Sequence, residues 1–356
     1  VSCVNTQFTI NGAYAAGILS MGGGAVNIGG VFSCTVTCTG GTGDTASPLS
    51  ATAISTEGGA ITFADDCTAT IQTDGLGITS RIPTGGTSAD ASTITLGGTA
   101  TLTSTHGTAI YMSGGSLIVN GTLNVTSAIL GNPWVTPPSA ADGTIANDQI
   151  YNGIYVEGGS LNASAGTLNV THTGIENEHG GNWDFNVHTS FQIRSFAVRV
   201  TGGSEGESVT IARGTIENST GGGVYVSGGT VTLGVQNERT GPTIRTTGTN
   251  NFGSQNKPNA YDSNWSYSLT RTGGHAVDVQ GGTLNIYGGN YSAQRGNGIL
   301  VRNGTANVYS GSFFGNDAGI IAGPGASCAF KMYRGTANIY GGTFGQGSQG
   351  SGAFIM

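Results

Sequence analysis

One short unit recurs along this chain and limits what it can fold into. Its clearest copy is GGTLNIYGGNY at residues 281–291. GGAVNIGGVF at 23–32, NGTANVYSGSF at 303–313 and RGTANIYGGTF at 334–344 repeat it. Shorter relatives are GGSLIVNGTLNV at 114–125, GGSLNASAGTLNV at 158–170 and GGTVTLG at 228–234. Most copies follow a brief alternating run: AIYM at 109–112, GIYV at 153–156, GVYV at 223–226, AVDV at 276–279 and ILV at 299–301. A unit this short cannot bury its own apolar side, so copies must stack on one another.

Within a unit the apolar residues alternate. Leu284 and Ile286 share one face, with Thr283, Asn285 and Tyr287 on the other. The same holds for Leu123 and Val125, Leu168 and Val170, and Ala337 and Ile339. Strict alternation over about five residues marks a half-buried strand. The Gly pairs supply positive φ or close approach at corners. The step from Gly282 to Gly304 is about 22 residues, which suits a coil of three short strands and three corners. Gly115, Gly159 and Gly203 are evenly spaced at twice that step. The expected fold is therefore all-β: a parallel β-helix with three strands per coil of about 22 residues, right-handed like other parallel crossovers.

Three longer excursions interrupt the pattern, at 127–149, 172–195 and 235–272, and are expected to leave as long loops at one corner. Loops on a rigid scaffold are where function concentrates. All three tryptophans lie there: Trp134, Trp183 and Trp265. The second excursion gathers Glu176, Glu178, His179, Asp184 and His188, with His172 at its start. The candidate ligand-binding residues are accordingly Trp134, Glu176, Glu178, Trp183, Asp184, Tyr261 and Trp265. Two carboxylates and a Trp suit glycan chemistry. The acids Glu176, Glu178 and Asp184 with Asn oxygens also suit Ca2+, the sole cofactor candidate. A solvated acidic loop pinned by Trp183 and Phe185 is the plainer alternative, and no catalytic residue is assigned.

No linker separates a second domain. The expectation is one unit over 1–356, with irregular coils at 1–105, loop-bearing coils at 106–275 and regular coils at 276–356. The chain begins at Val1, as a processed start or a fragment edge would, and both ends read as bare coils open to stacking.

Composition narrows the partners. Only 9% of the 356 residues are charged, 65 are Gly, and the net charge is −7. Twelve cations in the whole chain cannot track a phosphate backbone, which argues against nucleic acid. No apolar run approaches the ~18 residues of a membrane span. Of the five cysteines, Cys34 and Cys38 share a strand face with Val36. They read as small core residues, with Cys3, Cys34, Cys38 and Cys67 as disulfide candidates.

The GG-T-x-N-[IV]-Y-GG-x-[FY] units resemble those of secreted right-handed parallel β-helices, the pectin-lyase-like superfamily, and Gly-rich repeats of bacterial cell-surface adhesins. The resemblance implies architecture over nearly the whole chain and leaves activity open. A polygalacturonase-like enzyme needs clustered strand acids. Here Asp65 and Asp66 are consecutive, Asp278 and Glu217 stand alone, and His275 with Asp278 reads as a surface pair. Sequons such as Asn120-Gly-Thr122 and Asn303-Gly-Thr305 read as by-products of Asn/Thr-rich outer faces. The alternation Thr99-Ala-Thr101-Leu-Thr103 resembles a flat ice-binding face, but the array is not expected to continue at a fixed register over many coils. The expectation is an extracellular structural or adhesive surface protein, part of an elongated or filamentous assembly of its own copies, contacting glycans through the loop wall. The alternative is a polysaccharide-active enzyme, lyase or glycoside hydrolase, with its cleft there.

Overall fold

The structure, a computed structural model, describes residues 1–12, 16–38, 52–83, 86, 92–105, 108–128, 152–173, 196–202, 206–219, 221–247, 274–317, 328–345 and 354–355. The strands stack in three parallel columns, as a parallel β-helix requires. The first column runs from Ala16–Met21 through Thr52–Glu57, Leu76–Arg81, Phe196–Val200, Gly222–Val226, Val277–Val279 and Ile299–Val301 to Phe330–Met332 and Phe354–Ile355. The second includes Ala60–Phe63, Thr93–Leu96, Ser208–Ile211, Thr230–Leu233, Thr283–Ile286, Thr305–Val308 and Thr336–Ile339. The third includes Thr68–Thr73, Thr99–Ser104, Thr122–Ala128, Thr167–Thr173, Thr215–Asn218, Thr243–Thr246, Asn290–Ala293, Ser312–Asp317 and Thr343–Gly345. The long strands Ile110–Val119 and Asn152–Ala163 turn the corner from first column to second. Among the described residues, ten coils carry all three segments.

The interior follows from the alternation. Leu117 and Val119, Leu161, Val209 and Ile211, Val231 and Leu233, and Leu284 and Ile286 stack with at most 1% exposure. Each such side chain contributes about 1.5–3 kcal/mol by leaving water. At the first-to-second corner, glycines with positive φ lie above one another: Gly229 at 64°, Gly282 at 68° and Gly304 at 83°. A Cβ on Gly282 would lie 2.6 Å from the carbonyl oxygen of Gly229, so the corner excludes any side chain there.

The shortest coil step has the expected length, with Thr230 paired to Ser208 and Thr305 to Thr283. Two expectations on spacing are corrected. Ser160 pairs with Ser208, so the even step read from Gly115, Gly159 and Gly203 does not carry into the register, and Gly203 itself lies outside the described residues. The third excursion begins later than expected, because Thr243–Thr246 within it is a third-column strand. The chain leaves the third column at Ala128, Thr173 and Thr246 and re-enters the first at Asn152, Phe196 and Val277, so all three excursions join the same pair of columns.

Candidate functional site

The residues singled out in the excursions, Trp134, Glu176, Glu178, Trp183, Asp184, Tyr261 and Trp265, all lie outside the described residues, as does the Ca2+ candidate they form. Among the described residues, no group of three or more His, Cys, Asp or Glu is placed to hold a metal. His172 belongs to the strand Thr167–Thr173 rather than to a loop. It is fully buried in register between Ser127 and Asn218.

The cysteines follow the core reading. Cys34 and Cys67 are buried and, with Cys3 and Cys328, carry free thiols, so Cys3, Cys34 and Cys67 are not bridged. The side chain of Cys38 lies outside the described residues. Burial pushes the Cys34 thiol up to about 11, which removes it from thiolate chemistry at neutral pH.

The polar side chains of chemical interest gather instead on the outer face of the first column. Each alternating run there points two apolar residues inward and its middle residue outward. Register then lines up Tyr111, Tyr155, Arg199, Tyr225, Asp278, Leu300 and Lys331 along the coil axis. The Tyr111 and Tyr155 rings stack 5.6 Å apart. The Arg199 guanidinium lies over both Tyr155 and Tyr225, 5.5 and 5.3 Å from the ring centroids. Tyr111 donates to Glu157 Oε2 at 2.7 Å, and Tyr155 Oη is 3.0 Å from Thr201 Oγ1.

Further along, Asp278 is only 3% exposed. Arg302 Nε lies 3.4 Å from its Oδ1, and Gln280 Nε2 donates to it at 3.4 Å. Burial raises the Asp278 carboxyl to about 6, against the opposing pull of Arg302 and Gln280. Lys331, also 3% exposed, holds its Nζ 5.1 Å from the Tyr333 ring centroid. Asp278 is thus not the solvated, isolated acid that its sequence neighbourhood suggests.

His275 does not complete a surface pair with Asp278. It is buried, and its Nδ1 accepts from the Asn297 backbone N–H at 3.0 Å. Asn297 Oδ1 in turn accepts from the Cys328 N–H at 2.9 Å, so the two side chains tie successive coils together. Burial, with Arg302 and Lys331 nearby, lowers His275 to about 3. Asp65 and Asp66 sit in an exposed turn rather than on a strand. Glu217 is paired with Arg245 at 2.7 Å.

The resulting face is a strip of aromatic and cationic groups with one buried acid. Arg199, Tyr225, Gln280 and Arg302 remain partly open to solvent, while Tyr155, Asp278 and Lys331 are covered. Flat tyrosine and guanidinium surfaces beside charged hydrogen-bonding groups suit contact with a polyhydroxylated or anionic ligand. A signal for part of this strip was present in the sequence, since Tyr111, Tyr155, Tyr225 and Asp278 are the third letters of AIYM, GIYV, GVYV and AVDV. Only the register shows that those letters adjoin.

The architecture places the chain among parallel β-helix proteins. Comparison with known protein families, with curated proteins and with solved structures returned no match to this chain. No described helix is long and apolar enough to cross a membrane.

Proposed function

We propose that this protein is an extracellular structural or adhesive surface protein, a segment of an elongated assembly that touches glycans along its flank. The observation that carries this reading is the unbroken register of three parallel columns over ten coils, lined inside by aliphatic side chains. Such a column is stiff because every interior strand is hydrogen-bonded on both sides. Low charge reduces repulsion between stacked copies. Negative-stain electron microscopy of the purified chain, with antibody labelling of intact producing cells, tests the reading. Rods or filaments and surface labelling are expected. Isolated short particles together with unlabelled intact cells would sink it.

A second reading, a polysaccharide-active enzyme, is favoured by one observation. Asp278 is a buried carboxyl whose proton is held to about pH 6, beside Arg302 and Gln280. An acid poised in that range suits proton transfer to or from a sugar. Release of reducing ends or unsaturated products from a panel of neutral and acidic polysaccharides would support it, provided Asp278→Asn abolishes the release. Activity untouched by that substitution would remove Asp278 from any such role.

A further inference from the structure

The outer face of the third column carries a regular array that the sequence alone did not reveal. Four consecutive coils present Thr68, Thr70 and Gln72; Thr99, Thr101 and Thr103; Thr122, Asn124 and Thr126; and Thr167, Asn169 and Thr171. The register is kept residue for residue: Thr70 faces Thr101, which faces Asn124, which faces Asn169, and the flanking ranks follow. Ser33 and Thr35 extend two ranks onto the preceding coil. The array therefore holds its register over four coils, further than the alternation within one strand indicated, and then stops.

Nine of these twelve positions are threonine, none is ionisable, and all are exposed or half-exposed. The face ends at the next coil, where Thr171 meets Glu217 and its partner Arg245.

We propose that this face binds the surface of ice. Stacked coils repeat every ~4.8 Å, and alternate residues along a strand every ~6.7 Å, so the array is a two-dimensional lattice. A ligand that uses such a lattice must itself be periodic in two dimensions. The spacings are close to those between water oxygens on a prism face of hexagonal ice. Threonine suits this role because its χ1 is stiff in a strand, which holds hydroxyl and methyl in place before binding. The hydroxyl donates and accepts, joining the water lattice, while the methyl sits among ordered waters. A charged side chain would keep its own hydration shell and break the order, and none is present among these ranks. Crystalline polysaccharide fits less well, because aromatic rings that would stack on sugar faces are absent from these ranks. This inference does not rest on the mechanical role proposed above.

The test is adsorption of the purified chain to slowly grown ice, with thermal hysteresis measured alongside. Enrichment in the ice and faceted crystals are expected for the wild-type chain. Thr101→Lys combined with Thr126→Lys should abolish both while circular dichroism keeps its β signature. Thr232→Lys, on the second column, should leave both intact. If the double variant misfolds, Thr101→Val keeps the β-branched shape, removes one hydroxyl and should narrow the hysteresis gap. Exclusion of the wild-type chain from ice, as for an ordinary soluble protein, overturns the proposal, as does equal loss in Thr232→Lys. A stable dimer in sedimentation that Thr101→Lys dissolves would assign the face to a second copy and overturn it too.

Discussion

Asp278 and His275 are near neighbours in the chain and titrate in opposite senses. The Asp278 carboxyl is raised from 3.8 to about 6, so the folded chain keeps that proton longer than the unfolded chain does. Raising the pH from about 4 to about 6 therefore costs stability, by up to about 3 kcal/mol at about 1.36 kcal/mol per unit. His275 is lowered from 6.5 to about 3, so the unfolded chain takes up its proton first. Lowering the pH from 6.5 towards 3 then costs stability. Between about pH 4 and 6 the two effects oppose each other. In His275→Gln the denaturation midpoint should fall as pH rises from about 4 to about 6. In Asp278→Asn it should fall as pH drops from about 6.5 to about 4. Midpoints moving the same way in both variants would show that neither group governs the response. Neither behaviour is visible in the sequence, where both residues look like ordinary surface polar groups near a strand. Burial in the folded chain is the main cause of both shifts.

At the scale of the strand, each unit is specified twice, by its inward alternation and by outward rows that bond to themselves. Asn307 Nδ2 donates to Asn285 Oδ1 and Asn338 Nδ2 to Asn307 Oδ1, each at 2.8 Å. Beside them Tyr287, Tyr309 and Tyr340 stack at 4.7 and 4.9 Å. Asn307→Ala breaks two side-chain hydrogen bonds in the middle of the row and should cost about 1–3 kcal/mol in chemical denaturation. The same substitution at Asn338 breaks one and should cost less, and equal losses would show that the row is not acting as a ladder. The strands themselves were legible because TLNI, TANV and TANI alternate with period two and are bounded by glycine. The strand Thr243–Thr246 was hidden because PTIRT carries a single apolar inward residue, Ile244, between two turns. The first-column strip was half legible. Tyr111, Tyr155, Tyr225 and Asp278 stood out in the alternating runs, but Arg199 and Lys331 did not, and Asp278, Arg302 and Lys331 are too far apart in sequence to form a spacing motif.

On the scale of the whole molecule, local chemistry and global register contribute different things. Alternating aliphatic residues, corner glycines and the short repeat step are local properties. They require that successive units stack in parallel, because no unit can bury its apolar side alone. That much follows from the order of the residues. Which coil faces which is another matter, because the excursions make the steps unequal. The step from Thr230 to Thr283 is more than twice as long as the step from Ser208 to Thr230. Counting along the chain cannot cross such gaps, whereas backbone hydrogen bonding between coils does so residue by residue. That pairing is what brings Tyr155, Arg199 and Tyr225 into one stack, sets Asp278 beside Arg302, and turns scattered threonines into a lattice. The chain order therefore carries the kind of fold, and the inter-coil register decides its surfaces, because side chains on an outer face become neighbours only through the strands that carry them.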